Sequence, residues 1–258
     1  MSGDAEPPIL QLSGIAKHYG TVRALQDAAL TVHRNEVVAL VGDNGAGKST
    51  MIKVISGVIQ PDAGQITVDG HPVTFASPLV PRRHGIETVY QDLALAPDLD
   101  PAANLFLGRE VLRPGLLGRL GMLDKPRMRA KADEAFSRLG VGLQDTRSQV
   151  GTMSGGQRQG IAVARAVLWA SRLVLMDEPT AALGVVQTSR VRALIESVRE
   201  QGVSVLLVSH NLPFVFEVAD RIEVLRLGRR VAVYSRAEAT AERVLGAMTG
   251  AVDAVPGP

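Results

Sequence analysis

Three short strings in this chain of 258 residues present groups that can handle phosphate. Gly42-Asp43-Asn44-Gly45-Ala46-Gly47-Lys48-Ser49 fits the pattern Gly-x-x-x-x-Gly-Lys-Ser, and Thr50 follows in the helix it opens. Such glycines let backbone N–H groups converge on phosphate oxygens. The helix N-terminus adds positive dipole, Lys48 adds charge, and the Ser49 hydroxyl can ligate Mg²⁺. Further on, Leu173-Val174-Leu175-Met176 runs into two acids, Asp177 and Glu178. A buried strand would deliver both carboxylates to the edge where open α/β sheets bind ligands. There Asp177 would hold the hydration shell of Mg²⁺, and Glu178 would act as base, or at least orienter, for an attacking water. Val203–Val208 then runs into Ser209-His210, which places His210 to contact a γ-phosphate and the water beside it.

Each string has a plainer reading. Paired acids after a strand often only begin a loop, but a phosphate loop in the same chain decides for chemistry. His18, His33, His71 and His84 have no comparable setting and read as surface or structural residues. A serine hydrolase is excluded at Ser154, because Thr152 stands where the Gly-x-Ser-x-Gly elbow needs glycine.

The elements needed to position these groups are visible in the pattern. Ile9–Leu12 and Ala28–Val32 alternate in part, like half-buried strands, and Glu36–Val41 is a continuous run like a strand buried on both faces. Ser49–Ser56 predicts a helix ended by Gly57, and Pro61-Asp62-Ala63-Gly64 predicts a turn. Gln65–Val68 and Thr88–Tyr90 read as further strands. From about Leu93 to Leu168 strand-like runs disappear and helical stretches such as Lys125–Leu139 dominate, which predicts an inserted helical subdomain. Strand character returns at Leu173–Met176, Val203–Val208 and Ile222–Leu225, with a helix near Thr188–Gln201, and this alternation predicts a parallel sheet.

Hydrophobic residues at 46% support a large core, and charge at 21% argues against disorder. The absence of cysteine excludes disulfides and thiolate metal sites. The opening residues lack the basic and apolar run of a signal peptide. No apolar run approaches the roughly 18 residues of a membrane span. The expectation is a cytoplasmic protein tied to a membrane only through a partner. A net charge of +2 is too small to imply nucleic-acid binding, and aromatics at 3% leave few stacking platforms.

Met153-Ser154-Gly155-Gly156-Gln157 precedes a helical stretch, Gln157–Ala170, for which Ser154 is a natural N-cap. Together with the phosphate loop, this string resembles the signature of ATP-binding cassette (ABC) transporter ATPase subunits, and the resemblance runs from about Ile9 to Gly250. It implies an α/β P-loop NTPase fold of the ABC nucleotide-binding type, with a RecA-like core, a small antiparallel β subdomain and an inserted helical subdomain. The domain would occupy 9–250, with core parts at about 9–92 and 169–250, helical subdomain at about 93–168, and a flexible tail over 251–258. ATP and Mg²⁺ are the implied cofactors. Tyr19 resembles the aromatic that stacks on adenine, and Gln91 resembles the glutamine that reaches Mg²⁺ and senses the transmembrane partner. Ser154, Gly155, Gly156 and Gln157 would grip a nucleotide held by a second copy. Ser49, Gln91 and Asp177 would then be the metal ligands, and Glu178, His210, Lys48 and Gln91 the catalytic set.

Two departures from the family pattern stand out. Met153 replaces the usual leucine, and Ala182-Leu183-Gly184 lacks the aspartate that helps couple two nucleotide sites. Phe75-Ala76-Ser77-Pro78, Gly85–Leu93 and Asn104–Glu110 are similar to bacterial importers of ribose, xylose and fructose type. That likeness implies a homodimer on transmembrane permease subunits at the cytoplasmic face of the inner membrane. A secreted sugar-binding protein would be an indirect partner, and nucleic acid none. Two alternatives stay open: a soluble ABC ATPase acting on ribosomes or nucleic acid, and a regulatory subunit that binds ATP without hydrolysing it. Against the first stand a single cassette and no sustained heptad run. Asp177, Glu178 and His210 weigh against the second.

Overall fold

The computed structural model describes residues 6–143, 145–181 and 184–251. Two long strands open it, β1 (Leu10–Tyr19) and β2 (Val22–Val32), joined by a tight hairpin that pairs Tyr19 with Val22. β3 (Val37–Val41) is buried along its whole length and feeds helix α1 (Lys48–Ile55) through the phosphate loop. β4 (Ala63–Val68) and β5 (His71–Val73) complete a four-stranded antiparallel sheet in the order β2-β1-β4-β5. After the short α2 (Leu79–Arg83) and β6 (Ile86–Val89), the chain turns helical: α3 (Pro101–Phe106), α4 (Leu116–Arg119), α5 (Lys125–Arg138) and α6 (Gly155–Trp169). β7 (Leu173–Asp177), α7 (Val185–Glu200), β8 (Ser204–Val208), α8 (Leu212–Val218), β9 (Arg221–Arg226), β10 (Arg229–Ser235) and α9 (Ala241–Thr249) follow.

The second sheet has the order β10-β9-β3-β8-β7-β6, parallel from β9 to β6 and closed at one edge by antiparallel β10. Its side-chain alternation divides the core in two. Val37, Ala39 and Val41 face the layer that holds α6, α7 and the helical segment, together with Val174, Met176, Val205 and Leu207. Val38, Leu40, Leu173, Leu175, Leu206 and Val208 face the other way. There Met51, Ile52, Val54 and Ile55 of α1 fill the space up to Leu10, Leu12, Leu25 and Leu30 of the antiparallel sheet. α1 is thus clamped between two sheets, and this fixes the phosphate loop at its start.

The predicted parallel sheet and helical stretch are both present; between β6 and β7 the only β pairing among the described residues is an isolated bridge, Leu112 to Leu123. α7 starts three residues before the predicted Thr188, and α6 two before Gln157. The strands at Ile9–Leu12 and Ala28–Val32 are cores of longer ones. The tail from 252 onward and Ala182-Leu183 lie outside the described residues.

The two sheets are also tied by charge. Glu223 on β9 is fully buried, accepts from Arg221 and Arg230, and takes the Thr31 N–H of β2 at 3.1 Å. Arg221 also donates to the Thr31 carbonyl and to Glu36, the latter at 2.7 Å. Removing one member leaves the others buried and uncompensated. Glu223→Ala should therefore lower folding stability by about 3–5 kcal/mol, measured by chemical denaturation. A loss inside the scatter of surface substitutions would contradict the staple.

Candidate functional site

Four neighbouring strands end at one edge of the parallel sheet, and each delivers a sequence-predicted residue there. Gly42 follows β3, Ser209-His210 follows β8, Asp177 ends β7 with Glu178 next, and Gln91 lies just past β6. The register sets Leu40 and Asp177 level with Val208, so these residues leave the sheet at similar heights.

The loop that joins β3 to α1 can take its shape only with glycine at two points. Gly47 has φ +106°, and a Cβ there would lie 2.7 Å from the Ala24 carbonyl oxygen. A Cβ on Gly42 would collide with the Leu225 carbonyl oxygen. The loop is pinned from outside, because Gly228 N–H donates to the Ala46 carbonyl at 2.9 Å and Gln26 N–H to the Gly228 carbonyl at 2.8 Å. The Ala46 N–H donates to the Asp43 carbonyl, and the Asn44 N–H to the Asp43 carboxylate. Among the described residues, the N–H groups of Gly45, Gly47, Lys48 and Ser49 have no protein acceptor outside the helix. Those are the unsatisfied donors that a helix N-terminus offers to an anion.

Lys48 is buried, and its ammonium donates to the carbonyls of Gly42 at 2.7 Å and Asp43 at 3.0 Å. Burial pulls its pKa below the ordinary value, while Glu178, Asp43 and Asp177 pull it back up. Asp177 shows the converse. Burial and then the neighbouring Glu178 push its pKa above the usual carboxylate range, against the pull of Lys48 and Lys53. Gln91 and Asp177 line one cleft of about 760 Å³ with Tyr90, Asp92 and Ala94. Among the described residues no cluster of three or more His, Cys, Asp or Glu could hold a metal unaided.

Glu178 sits at φ +50°, a left-handed conformation that costs a non-glycine residue on the order of 1 kcal/mol or more. Its N–H donates to the Val208 carbonyl at 2.9 Å, and its own carbonyl accepts the Ala181 N–H at 3.0 Å. The carboxylate, 14% exposed, stands 2.9 Å from His210 Nδ1 and accepts the His210 N–H at 3.4 Å. His210 itself is 69% exposed. The acid is held in place while the imidazole faces outward.

Tyr19 stands at the tip of the β1–β2 hairpin, 46% exposed, on the strand pair whose Ala24 and Leu25 touch Gly47. Ser154 caps α6: its hydroxyl accepts the Gln157 N–H at 3.3 Å, and the Gln157 side chain accepts the Ser154 N–H at 3.0 Å. Ser154 and Gly155 are exposed, and Gly156 and Gln157 half-buried. None of the four hydrogen-bonds to the phosphate loop, Asp177, Glu178 or His210 among the described residues. The capping box and an outward-facing donor set therefore coexist.

One residue escaped the sequence reading. Leu93 and Ala94, just after Gln91, both have positive φ, +59° and +44°. Arg165 of α6 reaches their carbonyls at 3.0 and 2.6 Å. Nothing in the apolar spacing of α6 distinguishes this arginine from a solvent-facing one; only the strained turn opposite reveals it.

The fold has known counterparts. A solved ATP-binding cassette of an ABC transporter superposes with a TM-score of 0.79 over 93% of this chain and 98% of that one, at 24% identity. The fructose import ATP-binding protein FrcA of Rhizobium meliloti is 50% identical over 96% of both chains. The xylose/arabinose import ATP-binding protein XylG of Sulfolobus acidocaldarius is 42% identical over 93% of this chain and 94% of its own. The family described as ABC transporter matches residues 25–181, more than half of the sequence. On that match and on these identities, the chain belongs to the ABC transporter family.

Proposed function

We propose that the protein is the ATP-hydrolysing subunit of an importer that energises monosaccharide uptake. The observation that carries the reading is the placement, at one sheet edge, of a phosphate cradle, a buried acid with raised pKa and a second acid paired to histidine. Identity to fructose and xylose/arabinose import proteins supports the sugar class. The sugar itself would meet the permease and a binding protein outside the cell. No helix among the described residues is long and apolar enough to cross a membrane, which accords with a peripheral subunit held at the cytoplasmic face of the inner membrane by permease subunits.

The roles follow from position. N–H groups of Gly45, Gly47, Lys48 and Ser49 receive the phosphate oxygens of ATP, with Gly42, Asp43, Asn44, Ala46 and Thr50 shaping the loop. Lys48 exchanges its two carbonyl partners for phosphate. Tyr19 offers a ring face to adenine. Asp177, Ser49 and Gln91 are oxygen donors of the kind Mg²⁺ takes, and a cation there would relieve the cost of burying Asp177 as a carboxylate beside Glu178. Held by these residues, Mg²⁺ would supply positive charge to offset the negative charge that develops on the phosphate during hydrolysis. Glu178 holds the attacking water and draws its proton, and His210 keeps the Glu178 carboxylate in orientation while it reaches toward the γ-phosphate. Ser154, Gly155, Gly156 and Gln157 would meet the nucleotide of a second copy, so that ATP favours a closed pair and hydrolysis opens it. Arg165, joining the helix of Ser154 to the turn after Gln91, would carry that motion toward the permease.

Glu178→Gln should retain ATP affinity but lose turnover by about 10²–10⁴-fold, and the ATP-bound variant should elute as a dimer. Rapid hydrolysis by it contradicts the assigned base. Lys48→Ala should weaken ATP binding by roughly tenfold or more, as expected for loss of a charged hydrogen bond; unchanged affinity by calorimetry counts against the cradle. Asp177→Asn should raise the melting temperature of nucleotide-free protein while abolishing Mg²⁺-dependent turnover. The sign follows from linkage: with a raised folded pKa, stability falls as pH climbs from the ordinary carboxylate value to the raised one, and the full cost is present above it. By the same linkage, wild-type Mg²⁺ affinity should fall as pH drops through the raised pKa of Asp177. A pH-independent affinity over that range would remove Asp177 from the metal site.

A further inference from the structure

The segment from Arg109 to Lys131 holds seven Lys and Arg residues against two acids, Glu110 and Asp124, a local charge of +5. The whole chain carries only +2, so everything outside this segment is net acidic. Arg109 is taken up by Glu87 and Arg129 by Asp100. Arg113, Arg119, Lys125, Arg127 and Lys131 are exposed, and none pairs with an acid among the described residues. The same segment exposes five large apolar side chains: Leu112, Leu116 and Leu120, the last two at 71% and 72%, with Leu117 and Met122.

The backbone of this exposed segment is hydrogen-bonded. Leu112 pairs with Leu123, Arg113 N–H donates to the Met122 carbonyl at 2.9 Å, and Asp124 N–H to the Val111 carbonyl at 2.7 Å. α4 forms its tip, where Gly118 lies so close under the Arg113 carbonyl that a Cβ would collide with it. Leu120 N–H and Met122 N–H return to the carbonyls of Leu116 and Leu117. A stiff tip whose backbone is largely satisfied, yet whose leucines point into water, holds apolar surface ready for a partner.

We infer that this tip is a contact surface for an anionic lipid bilayer. Unpaired basic residues beside exposed leucines are the composition that settles at the headgroup boundary, the cations on lipid phosphates and the apolar side chains just beneath. Exposed leucines with Arg113 and Arg119 among them, and Lys125, Arg127 and Lys131 exposed on the helix that follows, fit a flat anionic surface. An apolar protein groove would leave those charges without partners. The inference needs no step of the transport cycle, and its test contains no permease.

The test is co-sedimentation of the full chain with phosphatidylcholine vesicles, with and without phosphatidylglycerol. Binding should require the anionic lipid and be lost at high salt. Arg113→Glu with Arg119→Glu should weaken it by about thirtyfold or more, since each basic residue near such a surface contributes roughly a factor of five. Leu116→Ser with Leu117→Ser and Leu120→Ser should weaken it as well. Both variants should keep wild-type melting and basal ATPase rate, which separates loss of the surface from loss of the fold or of the nucleotide site. Equal binding to neutral vesicles, or variants that bind like wild type, would overturn the inference. So would leucine variants that keep vesicle binding but lose self-association or capture by a detergent-solubilised permease, since the tip would then belong to a protein partner.

Discussion

Asp177 and Lys48 feel each other's charge at the end of the parallel sheet, and neither is fully compensated there. Burial raises the pKa of the acid and lowers that of the base, so the surroundings work against the charged form of each. A salt bridge between them would settle the matter cheaply, but Lys48 spends its donors on the carbonyls of Gly42 and Asp43 instead. The edge therefore keeps one acid in want of a cation and one ammonium whose partners are weak and exchangeable. A phosphate chain carrying a divalent cation answers both needs at once. The clamped position of α1 between two sheets holds this arrangement, because Lys48 cannot move away without unpacking Met51, Ile52 and Ile55.

Glu178 adds a second unrelaxed feature beside the first. Its left-handed backbone survives because the Val208 carbonyl and the Ala181 N–H hold it from both sides. His210 alone, largely in solvent, could not supply that constraint. The turn at Leu93–Ala94 follows the same logic, with Arg165 as the external support. Strain at these two points is maintained by neighbours, in keeping with residues that must stay oriented in the absence of substrate.

What could be read from the residues divides along physical lines. β3, β7 and β8 were legible because both faces are buried, so each is an unbroken apolar run that ends in a polar or glycine signal. The phosphate loop and paired acids were legible because their chemistry needs fixed residue types at fixed spacing. β10 was not, since it begins Arg229-Arg230 and continues as the unalternating run Val231-Ala232-Val233-Tyr234, although it is a partly exposed edge strand. α9 did carry signals, Thr240 as N-cap and Gly250 as a left-handed C-cap, but its nine residues hold only a short apolar stripe. The Glu223 network was invisible, because Thr31, Glu36, Glu223 and Arg230 are brought together only by the pairing of sheets far apart in sequence.

The placement of charge explains how one chain tolerates an unrelaxed site. Glu36, Asp220 and Arg221 stand where β3 and β9 begin, at the opposite end of the sheet from Gly42 and Asp177. There every buried charge has its partner, and Asp220 also receives the Val37 N–H and the Arg199 guanidinium. Satisfied ion pairs at that end fix strand register, and register sets the heights at which Gly42, Asp177 and Ser209 emerge at the other. Moving the compensated charges to the opposite edge would neutralise the attraction for the phosphate and metal proposed there. Removing them would let β9 and β2 separate and release the loop that Gly228 pins. The same sheet thus carries the Glu36, Asp220 and Arg221 contacts at the N-terminal ends of β3 and β9, and leaves Asp177 and Lys48 electrically incomplete at the other end.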